Sequence, residues 1–365
     1  MADDAQQPEI SPEELLALRR SCARSLSWHG SRDAASYLAE VPQDADPDMY
    51  GDGGVVAELE GEVATLLGKP AAVFMPSGTM GQQATLRVHA DRRGRRTVLF
   101  HPYCHLDRHE ERGYERLHGL HGRPVGEFER LITMEDLEGV HEEPAALLLE
   151  LPQRDLGGWL PDWDDLVRQT GWARERGAAV HMDGARLWGC GDFYERSLAD
   201  IAALFDTVYV SFYKQLGGLP GSCVAGPEDV VAEVREWRRR HGGTLYGMWP
   251  NAASARNVLG LRLPRIADYR RHALAVAQAL LEVEGLDVVP DPPHTTMMHL
   301  VFYAPAEQLQ ANAIRLAREE SIWTWGHFFA TGAPRGRRVE VEVGDATMAF
   351  TPEEFRSVIE RLLGA

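Results

Sequence analysis

Between residues 55 and 255 the chain repeats one pattern: a short apolar run, a polar turn, then an amphipathic stretch. Apolar runs at 70–74, 97–100, 145–149, 178–182 and 207–211 read as strands. They are nearly continuous rather than alternating, as expected of strands buried on both faces. Residues 55–67 carry apolar positions at helical spacing. A further helix is predicted from Met80, after the turn Pro76-Ser77-Gly78-Thr79. Strands alternating with helices predict an α/β fold with a mostly parallel sheet and covered faces. In such sheets ligands sit at the carboxyl ends of the strands.

From about residue 265 the texture changes. A helix is predicted over 269–283, strands over 295–303, 322–325 and 338–343, and a helix over 306–320. This reads as a smaller α+β domain, with a helical stretch at 252–285 bridging the two parts. The expected division is an N-terminal arm and helical segment at 1–45, a large α/β domain at 46–260 and a small domain at 261–365. The first dozen residues look arm-like. Ser11-Pro12-Glu13-Glu14 and Thr351-Pro352-Glu353-Glu354 each combine an N-cap, a proline at the first helical position and a capping-box acid.

Composition narrows the partners. The chain has 365 residues, 44% hydrophobic and 25% charged, which suits a folded protein with a large core. Its net charge of −17 disfavours nucleic acid and anionic membranes, which both require clustered cations. Cys22, Cys104, Cys190 and Cys223 are scattered without a C-x-x-C pair, so neither a zinc site nor a disulfide framework is expected. Reduced thiols, an acidic start without an apolar core, and no apolar run of about 20 residues together predict a cytoplasmic protein without a membrane span.

Two segments carry the chemistry. Asp183 follows the apolar run that ends at His181-Met182, and Lys214 follows Ser211-Phe212-Tyr213, about one βα unit later. A carboxylate and a lysine on neighbouring strand ends suit pyridoxal phosphate. That cofactor needs a lysine for its covalent attachment and an acid to keep its ring nitrogen protonated. The glycine-rich turn after Lys214 lets backbone approach a ligand closely, and a desolvated lysine becomes a usable nucleophile. Alone, Lys214 reads equally well as a solvated lysine and Asp183 as a turn aspartate.

Ser77-Gly78-Thr79 joins a strand to a helix, so hydroxyls and unpaired backbone N–H groups converge there as a phosphate cradle. Arg186 is a two-pronged holder for a substrate carboxylate or a salt-bridge partner of Asp183. Five histidines lie between His101 and His121, but their spacing matches no metal motif and no metal is expected. His105 is instead a candidate for an aromatic ring lying on the cofactor.

Together these pieces resemble the threonine aldolase and β-eliminating lyase family of fold-type-I pyridoxal phosphate enzymes, over about 49–226. Met49-Tyr50-Gly51-Asp52, Leu67-Gly68-Lys69-Pro70, Met75-Pro76-Ser77-Gly78-Thr79-Met80-Gly81, Cys104-His105 and His181-Met182-Asp183-Gly184-Ala185-Arg186-Leu187 carry the likeness, with the segment from Ser211 to Ser222. The resemblance implies an aspartate-aminotransferase-like fold, Lys214 as the attachment lysine and His105 stacked on the pyridine ring. It also implies a homodimer or homotetramer with Tyr50 reaching a neighbouring site. The chain departs from the family where Glu-Asn-Thr-His-Asn is replaced by Glu150-Leu151-Pro152-Gln153-Arg154. Tyr246-Gly247-Met248-Trp249-Pro250 lacks a family arginine, and Arg338-Val339-Glu340-Val341-Glu342 replaces a C-terminal motif.

The expected activity is Cα–Cβ cleavage of a β-hydroxy-α-amino acid to glycine and an aldehyde. Lys214, His105 and Asp183 are the candidate catalytic residues. Ser77, Gly78, Thr79, His105, Asp183, Arg186 and Lys214 are expected to hold the cofactor. Arg186, Arg338, Arg154 and Tyr50 are expected to hold the substrate, with Arg337 an equal candidate to Arg338. The alternative is elimination or replacement at Cβ or Cγ of another amino acid, selected by Gln153 and Arg154. A non-catalytic ligand-binding relative is the reading from a different class.

Overall fold

A computed structural model describes residues 10–333 and 335–364. Residues 1–9, most of the expected arm, lie outside the described residues. The chain divides into two compact units, one spanning 38–264 and one made of the N-terminal residues to Tyr37 with those from Arg265 onward.

The larger unit is built on seven strands: β1 (Ala71–Met75), β2 (Thr97–Phe100), β3 (His121–Pro124), β4 (Ala146–Glu150), β5 (Ala179–Gly184), β6 (Thr207–Ser211) and β7 (Ser222–Gly226). Their order is β1-β7-β6-β5-β4-β2-β3. All pairings are parallel except those of β7, which runs antiparallel to both β1 and β6. β5, β6 and β7 are buried along their whole length. Their apolar runs are continuous because both faces are covered.

Helices α1 (Gly54–Leu66), α2 (Gly78–Arg93), α3 (Trp163–Glu175), α4 (Glu228–Arg240) and α5 (Trp249–Arg262) complete the unit. α2 packs on α4 and over β6 and β7, while α3 packs on β4 and β5. One core joins Leu86, Val98, Phe100, Tyr114 and Leu148. Another joins Val73, Met75, Ala84, Val88, Val224 and Val234. α2 begins at Gly78, two residues earlier than the sequence pattern placed it, because Ser77 caps it by accepting from Met80 N at 3.2 Å.

In the smaller unit α6 (Ile266–Leu280), α7 (Ala306–Glu320) and α8 (Pro352–Leu363) accompany β8 (Leu286–Val289), β9 (Met297–Phe302), β10 (Phe329–Ala330) and β11 (Arg337–Glu342). The sheet is antiparallel in the order β10-β11-β9-β8. Val339 and Val341 of β11 are buried while Arg338 and Glu340 are not, the alternation of a sheet with one wet face. Both predicted capping boxes form, Ser11 with Glu14 and Thr351 with Glu354. The helical stretch at 252–285 is two helices, α5 and α6, separated by the 3₁₀ turn Leu263–Arg265. Pro264 inside that turn has no N–H for a continuous α-helix. Arg24–Ser25 pairs in parallel with Ile322–Trp323, which ties the N-terminal segment to the C-terminal residues of this unit. Among the described residues no helix is long and apolar enough to cross a membrane.

Candidate active site

Strand register builds the site. Glu150 pairs with Asp183 across β4 and β5, and Asp183 pairs with Tyr209 across β5 and β6. In-register neighbours point to the same face, so these three side chains form a row at the carboxyl ends of adjacent strands. Two residues earlier on the same face stand His181 and Thr207, also paired.

Asp183 is 6% exposed. Its Oδ1 accepts from Ala185 N at 3.0 Å, and its Oδ2 accepts a very short bond from Gln82 Nε2 of α2. The polar contacts continue inward. His181 Nε2 lies 3.0 Å from Gln82 Oε1, and His181 Nδ1 lies 2.8 Å from Thr207 Oγ1. His89 Nε2 lies 2.8 Å from the same hydroxyl. Gln82 and His89 stand two turns apart on one face of α2, which places both over β5 and β6. Burial pushes His181 down to about 4. His89 is also held well below the usual histidine range, first by burial and then by His181 and Arg93.

Lys214 emerges from the end of β6 into a loop that folds back on itself. Gly218 N donates to Phe212 O at 2.9 Å and Phe212 N to Gly221 O at 3.3 Å. α5 pins the loop: Ser254 Oγ accepts from Leu219 N at 2.9 Å, and Arg262 Nη1 donates to Leu216 O at 2.9 Å. Gly217 adopts φ +66°, a left-handed conformation that glycine reaches without strain. Burial lowers the Lys214 amine below the usual lysine range. Arg186 and Arg154 reinforce that shift, while Asp183 and Glu150 oppose it. Lys214, Asp183, Arg186, Glu150 and Arg154 therefore share one electrostatic neighbourhood.

The cradle lies at the start of the same α2 that carries Gln82. Ser77 and Thr79 are exposed and Gly78 is buried between them. A Cβ on Gly78 would collide with the Tyr209 hydroxyl, so only glycine allows this approach.

His105 follows β2 on the short helix His105–Arg108. Its backbone N donates to Glu150 Oε1 at 2.6 Å. Its Nδ1 lies 3.2 Å from Glu110 Oε1, and Glu110 Oε2 accepts from Gln83 Nε2 at 3.0 Å. Glu110 is thus a buried carboxyl that orients the imidazole. Glu150 Oε2 accepts from Gln153 Nε2 at 2.9 Å. Burial, with the nearby Asp183 charge, pushes the Glu150 carboxyl up to about 8. Gln153 is buried and committed to Glu150, whereas Arg154 acts on the Lys214 amine.

Two predicted substrate residues stand elsewhere in their units. Tyr50 is about half exposed, edge-on to Tyr246 at 5.4 Å, in a cleft lined by Asp52, Arg235 and Arg238. Arg338 belongs to the smaller unit, on β11 opposite Val301 and Phe329, and Arg337 is its neighbour on that strand. Of the histidine-rich run only His105 and His109 come together, with ring centroids 5.0 Å apart. His101 bonds Arg130 O, His118 packs on Trp237 and His241, and His121 begins the edge strand β3. Among the described residues no group of three or more metal-ligating side chains converges. Sequence reasoning missed Gln82, His89, Glu110 and Thr207 as site residues, and read Glu150 only as part of the altered 150–154 segment. No local signal marks Gln82, because its burial comes from the packing of α2 against the sheet.

The model for the family described as beta-eliminating lyase matches residues 29–305. Low-specificity L-threonine aldolase 1 of Arabidopsis thaliana is 26% identical over 288 residues, covering 76% of this chain and 80% of that relative. The low specificity L-threonine aldolase of Escherichia coli K12 is 28% identical over 248 residues, 66% of this chain and 73% of its own. A crystal structure from Listeria monocytogenes, provisionally assigned as an L-allo-threonine aldolase, superposes with a TM-score of 0.89 at 35% identity. It covers 96% of this chain and 98% of that one.

Proposed function

The chain belongs to the beta-eliminating lyase family, and we propose that it cleaves the Cα–Cβ bond of a threonine-like β-hydroxy-α-amino acid, releasing glycine and an aldehyde. The observation that carries this reading is Lys214, half-buried just past the end of β6, next to the strand ends where Glu150 and Asp183 pair in register. The donor set fits pyridoxal phosphate. The Ser77-Gly78-Thr79 turn at the start of a 16-residue helix suits a phosphate, Asp183 suits a protonated ring nitrogen, and Lys214 suits an aldehyde.

When bound, pyridoxal phosphate supplies an electron sink for the carbanion left at Cα. The protein's own residues do the rest. Lys214 provides the amine that holds the cofactor, and its lowered basicity keeps that amine a nucleophile. Asp183 holds the proton at the ring nitrogen. Arg186 grips the substrate carboxylate. His105, steadied by Glu110, takes the proton of the β-hydroxyl. Arg154 selects among side chains. Assembly as a homodimer or homotetramer belongs to this proposal. An active monomer in sedimentation would remove Tyr50 from the substrate set.

The test is product analysis after incubating cofactor-loaded protein with L-threonine and L-allo-threonine. Glycine and acetaldehyde in equal amounts are expected, and both should vanish in Lys214→Ala together with the cofactor's visible band. An intact band without glycine would overturn aldol cleavage in favour of elimination, read as ammonia and keto acid.

A further inference from the structure

The contacts leading inward from Asp183 form an unbroken buried chain whose hydrogen-bond direction is set by its two ends. Gln82, His89, His181 and Thr207 are each 2% exposed or less. At the outer end Arg93 Nη1 faces His89 Nδ1 at 3.5 Å. A guanidinium only donates, and a carboxylate only accepts. From the Asp183 end, Gln82 must present its amide N–H, so its Oε1 accepts from His181 Nε2–H. A neutral His181 then accepts at Nδ1 from the Thr207 hydroxyl, which in turn accepts from His89 Nε2–H. That leaves His89 Nδ1 as an acceptor facing Arg93. The reverse order fails at the inner end, where Gln82 would have to turn its Oε1 on the Asp183 carboxylate, acceptor against acceptor.

We propose that Gln82, His181, Thr207 and His89 form a one-way donor relay that holds Asp183 as a bare acceptor for the cofactor's ring N–H. The four are positioning residues, since none of them needs to touch substrate. Aligned hydrogen bonds polarise one another in a dry interior, so each link strengthens the donation that reaches Asp183. Both imidazoles must stay neutral for this order to hold, and their burial keeps them so. The chain lies between α2 and strands β5 and β6, the elements that also carry the Ser77-Gly78-Thr79 cradle, Asp183 and the Lys214 loop. The inference rests on the pyridoxal phosphate reading for its purpose but not for its geometry.

The geometry is testable without cofactor. Long-range ¹⁵N NMR of histidine-labelled apoprotein, assigned with His181→Gln and His89→Gln, should show both rings neutral with the proton on Nε2 between pH 6 and pH 8. A proton on His181 Nδ1 would overturn the relay. The purpose is tested with ¹⁵N-labelled pyridoxal phosphate. Thr207→Val should move the pyridine nitrogen signal toward its unprotonated position, and Thr207→Ser should restore it. Gln82→Leu, which removes the last donor, should weaken cofactor binding by about tenfold or more. A signal that stays protonated in Thr207→Val, with only the melting temperature lowered, would reduce the chain to packing. Failure of the wild-type protein to bind pyridoxal phosphate would instead sink the functional reading and leave the tautomer result standing.

Discussion

Glu150→Gln in the cofactor-free protein tests the electrostatics of the site directly. Glu150 is partly buried at the end of β4, in register with Asp183. Burial, then the Asp183 charge, raise its carboxyl to about 8, against a usual value of 4.5. A carboxyl raised on folding binds its proton more tightly in the native state. Its stabilising contribution is complete below the unfolded value and is lost as pH rises through the folded one. One proton changes stability by at most about 1.4 kcal/mol per pH unit. Between pH 5 and pH 8 the parent should therefore lose up to about 4 kcal/mol that the variant does not. Glutamine can still accept from His105 N, and the Gln153 amide can turn to meet its new N–H. Urea unfolding at pH 5, 6.5 and 8 reads the difference. The gap between variant and parent should widen in the variant's favour with each step. Parallel curves would show that Glu150 ionises like a solvent carboxyl.

Other perturbations probe separate parts of the site. Gly78→Ala drives a methyl into the Tyr209 hydroxyl, so unfolding free energy should fall by about 1–3 kcal/mol; an unchanged urea midpoint would mean that Tyr209 swings aside freely. His105→Gln should lower kcat by about 10²–10⁴ with little change in melting temperature, because its side chain is 31% exposed. A variant turning over within about twofold of the parent would take His105 out of proton transfer. Arg154→Ala should change the ranking of amino-acid substrates in a product panel, and an unaltered ranking would remove it as the selector.

The sequence made the strands of the larger unit legible where burial on both faces left continuous apolar runs, as in β4, β5 and β6. It hid β7. Ser222 and Gly226 bound that strand, and it follows a glycine-rich turn, so local pattern merges it with the loop. Its strand character comes from pairing on both sides, with β6 and with β1, the latter roughly 150 residues away in sequence. β3, read His-Gly-Arg-Pro, is an edge strand with no buried residue to mark it. Lys214 and Asp183 stand out in the sequence only as a pair, one βα unit apart at neighbouring strand ends, since each alone reads as a solvated or turn residue. Gln82 and His89 were not, since nothing in α2 itself says that its polar face meets a sheet. Only the register of β5 and β6 gives those side chains acceptors and donors.

That register also explains how two carboxyls coexist on adjacent strand ends. Glu150 and Asp183 sit side by side on one face, where two buried negative charges repel strongly. Their surroundings separate them. Glu150 meets one backbone N–H and the Gln153 amide, too little to offset desolvation, and it retains its proton to higher pH. Asp183 takes the Gln82 amide, backed by two histidines and a threonine, and a backbone N–H besides. Unlike surroundings of this kind give two acids distinct chemical duties. Asp183 belongs beneath a cationic ring nitrogen. Glu150 stands beside His105, and while it keeps its proton it does not raise the basicity of the Lys214 amine as a carboxylate would. Gln82→Leu should therefore damage cofactor binding, read by titration of the cofactor's visible band, more than Glu150→Gln does.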